Sequence, residues 1–538
     1  MSALLAVSLI APLALLAACL RPAWRQAVPA WLTVAPLPAL AAALVVLGGT
    51  PLSVELPALR LGLTLDLPGA LLLGVSALLW SAAGLYAAAF LERTTARLRF
   101  VVCWLLTLTG SLGIFMADDL VGFYLLFALA SLPAYGLIAH DDNAPAWRAG
   151  AVYIAFTVLS EAFLLMGFVL LAAGDPLGSI QIRDVMAALP QSPWRDGALA
   201  LTALGFALKI GLVPVHGWMP LAYAAAPIPA AAVLSGAGVK AGVIGFLRFL
   251  PFDASMPMAG ELLVVFGLFS AFYGVAIGLL QSRPADVLAY SSISQMGVIA
   301  AVLGMGLAIG NDDTVIAGAF YAAHHVLAKG ALFFAIGVVA MTAAPHTRPT
   351  LLLAAVVALG LGGLPLTGGA LAKLAIKGPL GEGLVGTLAN LSAAGTTLLM
   401  VHFLACLARL AACEPPPGIA LGFALPWRLV ALAAIVVPWL TYLAGGGSLG
   451  EALAPGALWD AAWPVALGAV FAVAWLRWGD GVPRLPAGDV LGAMERTFHS
   501  TYSLGAATER VDRVLRHWSP AALLLVMIAL VLSAAMTI

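Results

Sequence analysis

Charge is what this chain has least of. Only 9% of its 538 residues are Asp, Glu, Lys or Arg, while 63% are hydrophobic. Soluble domains carry about a quarter charged residues, so a water-soluble globular fold is excluded. Cysteine is also scarce. Cys19, Cys103, Cys406 and Cys413 stand apart in apolar sequence and read as small buried hydrophobes, with no spacing for a disulfide framework or a metal cluster. No dinucleotide, P-loop or haem motif is present, so the chain carries no cofactor site and oxidises nothing by itself. Formal net charge is zero, which gives no reason to expect nucleic acid. The segment Ser2 to Leu20 lacks a basic leader and a cleavage site and reads as a retained helix.

What is present is apolar sequence in runs of about 20 residues, the length of a membrane-crossing helix. The expected fold is all-α and polytopic, with about sixteen transmembrane helices. The spans fall near 2–20, 30–49, 69–91, 99–117, 119–140, 147–174, 198–223, 228–250, 258–281, 286–309, 314–342, 350–378, 385–411, 427–446, 461–477 and 519–537. Placing both termini on one side puts sixteen of the twenty arginines on the other; only Arg60, Arg183, Arg195 and Arg248 remain. By the positive-inside rule the arginine-rich side is cytoplasmic and both termini are periplasmic, in the inner membrane of a bacterium.

Two spans carry helix breakers at membrane depth. The seventh reads LKIGLVPVHGWMPLAY, with Pro214 and Gly217 at its centre. The twelfth reads LGLGGLPLTGGALAKLAIKG, with Gly363, Pro365, Gly368 and Gly369. Such breaks persist only where the backbone is buried in protein or lines a wet cavity. Two of them, five helices apart, predict inverted repeats. The expected organisation is N-terminal helices at 1–98, a first repeat at 99–250, a second at 258–411 and an extension at 412–538. Within that extension a polar segment, 478–518, reads as a cytoplasmic amphipathic helix between two spans.

Every lysine of the chain lies inside one of these hydrophobic runs. They are Lys209, Lys240, Lys329, Lys373 and Lys377. A lysine at mid-membrane costs about 2.5–3.5 kcal/mol on insertion scales, so each needs a reason. Ammonium can lose its proton when desolvated, whereas guanidinium cannot. A membrane interior that keeps lysine and excludes arginine suits proton transfer. Glu161 is the acidic residue deep in the first repeat and is expected to pair with Lys209, because an unpaired buried ammonium is costly. His325 and Lys329 are i,i+4 and share a helix face, while His324 points about 100° away. His216 follows the first break. Lys377, nearer the surface, fits a snorkelling side chain. His402 fits a core histidine, and the Asp118–Asp119 and Asp312–Asp313 pairs fit solvated turns. Adjacent His324 and His325 cannot chelate one ion from one helix face, so no metal is expected.

Four segments resemble one family. HGWMPLAYAAAPIPAAAVLSGAGVKAGVIGFLR (His216–Arg248), LAYSSISQMG (Leu288–Gly297), HHVLAKGALFF (His324–Phe334) and GLPLTGGALAK (Gly363–Lys373) are similar to the antiporter-like subunits of respiratory complex I, membrane-bound hydrogenases and Mrp-type cation/proton antiporters. The resemblance implies a hydrated polar axis along which Lys209, Lys240, His325, Lys329 and Lys373 relay protons. It implies partner subunits that supply the energy, with Na+ as a second candidate ion. The chain departs from the family at Ala128, where relatives carry a glutamate on the fifth span; Glu161 is the expected substitute. It departs also at Arg283, in place of an acid, and at Gln295, where many relatives carry histidine. Two alternatives stay open: a membrane partner in inorganic-carbon uptake, and a self-standing secondary transporter.

Overall fold

The computed structural model describes residues 2–56, 61–94, 96–411 and 421–485. Apart from one hairpin its regular structure is helical. The helices are α1 (Ala3–Ala18), α2 (Leu37–Leu47), α3 (Leu67–Leu91), α4 (Arg97–Gly113), α5 (Leu120–Ile138), α6 (Ala144–Gly174), α7 (Arg195–Ile210), α8 (Trp218–Ala225), α9 (Ile228–Phe249), α10 (Pro257–Leu279) and α11 (Pro284–Ile309). They continue with α12 (Asp313–Ala340), α13 (Arg348–Gly362), α14 (Gly368–Leu380), α15 (Leu384–Ala408), α16 (Leu421–Ala444) and α17 (Pro455–Trp478). Ten of them are long and apolar enough to cross a membrane. The other expected spans up to residue 477 coincide with shorter or interrupted helices. The sixteenth span, and nearly all of the amphipathic segment 478–518, lie outside the described residues.

Local sequence explains where helices start. Asp66, Asp119 and Asn143 each stand at an N-cap in extended conformation, and their side chains accept from Gly69, Gly122 and Ala146 respectively. These contacts satisfy backbone donors that have no partner within the helix. Both predicted breaks are real. The helix of the seventh span stops at Gly211 and resumes at Trp218, with a cis Val213–Pro214 peptide between. That of the twelfth stops before Gly363 and resumes at Gly368. Gly211 (φ 69°) and Gly363 (φ 92°) both adopt the left-handed conformation that glycine tolerates best.

Burial is graded from centre to edge. Throughout the apolar windows of α9 and α12 every residue is buried within the protein, whereas little of α17 is buried. Trp459, Val470, Phe471 and Val473 of α17 form an uncovered apolar face, as expected of a lipid-facing helix. Helices α10 and α11 run in close contact. A Cβ added at Gly267 would lie 2.6 Å from the Gly297 carbonyl, so the small residue is what allows the backbones to meet.

Two features depart from expectation. Strands β1 (Leu52–Leu56) and β2 (Leu61–Leu65) pair antiparallel, with Leu52 opposite Leu65. The all-α reading missed this hairpin, although LGLTL alternates as a strand would. Asp118 and Asp119, expected in a plain solvated turn, anchor it. Asp118 accepts from the Thr64 hydroxyl at 3.0 Å, and buried Asp119 accepts from the Gly62 amide at 3.2 Å while capping α5. Arg248 completes the knot, donating to the carbonyls of Ala117 and Phe115 and to Asp66.

Candidate functional site

Most of the polar residues singled out by sequence are buried within the protein. Lys209, Lys240, His324, His325 and Lys329 are buried, and so is Glu161. Lys209 lies in the last turn of α7, where the partial negative charge of the helix end favours a cation. Its ammonium donates to the Ser131 hydroxyl of α5 at 2.5 Å and lies 5.2 Å from the centre of the Phe127 ring. Ser131 is one turn beyond Ala128, where the family's glutamate is missing. A hydroxyl stabilises the ammonium without burying a second ion beside it.

The direct ion pair expected between Lys209 and Glu161 is not formed. Glu161 lies within electrostatic reach of Lys209, yet its Oε1 has no hydrogen-bond partner among the described residues. Ser131 occupies the place that a contacting carboxylate would take. Glu161 therefore acts on Lys209 across a gap.

The step from Lys209 to Lys240 is short through the backbone. A Cβ placed on Gly242 of α9 would lie 3.1 Å from the Lys209 Cβ, and Gly242 is two residues past Lys240. A π-turn, Leu234–Gly238, interrupts α9 just before Lys240. Such turns widen a helix locally and free backbone groups. The Lys240 ammonium donates to the Gly236 carbonyl at 3.1 Å and meets His325 Nδ1 at 2.9 Å. One proton lies between the two nitrogens. Either a charged Lys240 donates to a neutral imidazole, or the imidazole donates to a neutral amine. The far nitrogen, Nε2, is buried without a partner among the described residues.

On the same helix, Lys329 donates to the Leu288 carbonyl of α11 at 2.9 Å and lies within electrostatic reach of Lys240. His324 turns the other way, as its place on the helix predicts. Its ring faces α14, 3.2 Å from where a Cβ on Gly369 would stand, and within electrostatic reach of Lys373. The two adjacent histidines thus face opposite halves of the protein.

Lys373 lies on α14 and folds back to donate to the Gly362 carbonyl at the break. A Cβ on Gly363 would meet this lysine's side chain at 2.7 Å. Lys373 borders a cavity of about 220 Å³ that is also lined by Gln295, Tyr321, Lys377, Asn390 and Asp460. Gln295 is fully engaged there: Tyr321 donates to its Oε1 at 2.7 Å, and its Nε2 donates to Thr396 at 3.0 Å. Lys377 is exposed, as a snorkelling lysine would be, and pairs with Asp460 of α17 at 2.6 Å. His216 is buried and packs edge-on against Tyr273, 5.0 Å between ring centres. His402 holds the Gln281 carbonyl at 2.8 Å and receives the Trp475 indole at 3.3 Å, a packing role. Among the described residues no group of three or more His, Cys, Asp or Glu side chains is placed to hold a metal ion.

Sequence reasoning missed Ser131 and Asp460. Both contacts join residues about eighty positions apart, and neither residue type stands out alone. The signal for Ser131 was present in the gap at Ala128, which demanded another partner nearby.

The chain is 32% identical over 267 residues to NADH-quinone oxidoreductase subunit N of Desulforudis audaxviator, covering 48% of this chain and 52% of that protein. It is 28% identical to hydrogenase-4 component B of Escherichia coli, covering 43% of this chain and 36% of that one. The chain thus spans about half the length, or less, of these curated relatives. In fold it is similar to a chain of the Mrp complex from Dietzia sp. DQ12-45-1b, with a TM-score of 0.73 over 99% of this chain and 63% of that chain, at 22% identity. The model of the NADH:quinone oxidoreductase/Mrp antiporter transmembrane family matches residues 117–399. The chain is a multi-pass membrane protein and belongs to that family.

Proposed function

We propose that this protein is a proton-translocating membrane subunit, with the buried lysines and histidines as its relay. A proton loads Lys209 from the cytoplasmic side, passes through water to Lys240, crosses to His325 and Lys329, and leaves by way of His324 and Lys373. The observation that carries this reading is the 2.9 Å contact between Lys240 and His325. It supports a proton shared between a helix of residues 99–250 and a helix of residues 258–411, which we take as the two repeats. Among the described residues neither gains stability from an acid nearby, and two basic groups in direct contact are costly to bury unless they share one proton. Glu161 modulates the proton affinity of Lys209 across the gap between them. We take its energy to come from partner subunits or an ion gradient. The relatives named above are subunits of larger assemblies, and we take this chain to work in one. The arginine distribution supports an orientation with both termini periplasmic in a bacterial inner membrane.

The test is proton flux into vesicles that contain the protein with its partners. Lys240→Met removes the shared proton and is expected to abolish flux. Undiminished flux in that variant would overturn the relay.

A further inference from the structure

We propose that Asp460 is a positioning residue at the mouth of the Lys373 cavity, where it neutralises Lys377 and so lets a proton leave. This rests on the relay reading above and deepens it. Asp460 belongs to α17, outside residues 117–399 that match the family model. The exit would thus be completed by the chain's own C-terminal extension.

Three observations place it there. The cavity runs from half-buried Lys373 to a rim where Lys377 and Asp460 are 53% and 46% exposed. The two rim residues meet at 2.6 Å across helices α14 and α17. Asp460 is held in place by its own helix. Gly468, two turns on and on the same face, lets α17 approach α15 so closely that an added Cβ would meet the Ala394 carbonyl at 2.3 Å.

An exposed ion pair contributes little to stability, so stability does not explain this one. Its effect is on the potential in the cavity. An uncompensated Lys377 would repel a proton released from Lys373, one turn below it. Paired, the two charges cancel at the rim. Glu382, also on the cavity wall, lies within electrostatic reach of Lys377 and adds to the same balance.

The test uses the full chain with its four cysteines replaced by serine and Asn390→Cys introduced in the cavity wall. Labelling rates with a cationic and an anionic methanethiosulfonate report the potential there, whether or not the protein moves protons. Asp460→Asn should lower the cationic-to-anionic rate ratio severalfold, and Lys377→Met should raise it, because removal of a nearby unit charge shifts the rates of the two probes in opposite directions. In flux assays Asp460→Asn should slow transport by about threefold. Adding Lys377→Met to it should recover most of the loss. If the rate ratio does not move, the proposal fails. If it moves but the double variant is as slow as Asp460→Asn, the pair is only a tether between helices and the proposal fails. If the ratio shifts as stated while the unaltered protein carries no protons, then the rim electrostatics stand and the relay reading is what falls.

Discussion

The two interrupted helices end their first halves alike but place their lysines differently. Both α7 and α13 close on a left-handed glycine. At each break a tryptophan indole donates to a nearby carbonyl, Trp218 to Leu208 and Trp439 to Leu366. Lys209, however, precedes its break and reaches out to Ser131 on α5. Lys373 follows its break and folds back to Gly362 within its own interrupted span. A lysine held by another helix, with Glu161 in reach, responds to any movement of its neighbours. A lysine held by the backbone beside a cavity is poised to exchange with water. In the relay we propose, the same broken-helix device serves as a switch in one half and an outlet in the other.

Removing either lysine should have the largest effect. Lys209→Met and Lys373→Met are each expected to reduce flux by at least about a hundredfold, the loss typical of a proton-transfer group. If one variant retained flux, the two halves would not act in series. Glu161→Gln tests the switch alone. We expect about a tenfold loss, equivalent to about 1.4 kcal/mol of lost coupling to Lys209. The double variant Glu161→Gln/Ala128→Glu returns an acid to α5 one turn from Ser131, and flux should recover at least in part. Failure to recover would show that the acid's place on α6 matters, not its charge. The smallest effect concerns the indole clamps. Trp218→Phe should cost about 1–3 kcal/mol because its bond is buried. Trp439→Phe should cost under about 1 kcal/mol, since its bond faces the surface. Thermal unfolding in detergent would rank them, and the reverse order would contradict the burial described for the two breaks.

The breaks were legible because proline and glycine punctuate a helix wherever they occur. The burial of Lys209, Lys240 and Lys329 was legible because charge is rare here and each lysine in an apolar run demands a cause. The face assignments of His324 and His325 followed from helical geometry alone. What could not be read were contacts between distant segments. Ser131 and Asp460 matter through what they touch, and a serine or a rim aspartate looks ordinary in sequence. Asp119 looked like a turn residue because nothing local says that a hairpin from residues 52–65 folds over it. Glu161 was found by charge reasoning, but that Ser131 of α5 and not Glu161 makes the direct contact with Lys209 has no local signature in the sequence.

In the relay we propose these amines change protonation as they work, and Lys329→Arg is the sharpest probe of that. Arginine keeps the positive charge and much of the side chain's length at the centre of α12, yet it does not give up its proton. With vesicles and an imposed gradient, the relay predicts that Lys329→Arg is as inactive as Lys329→Ala. Flux at the unaltered rate through the arginine variant would show that a fixed charge suffices, and the relay would be contradicted.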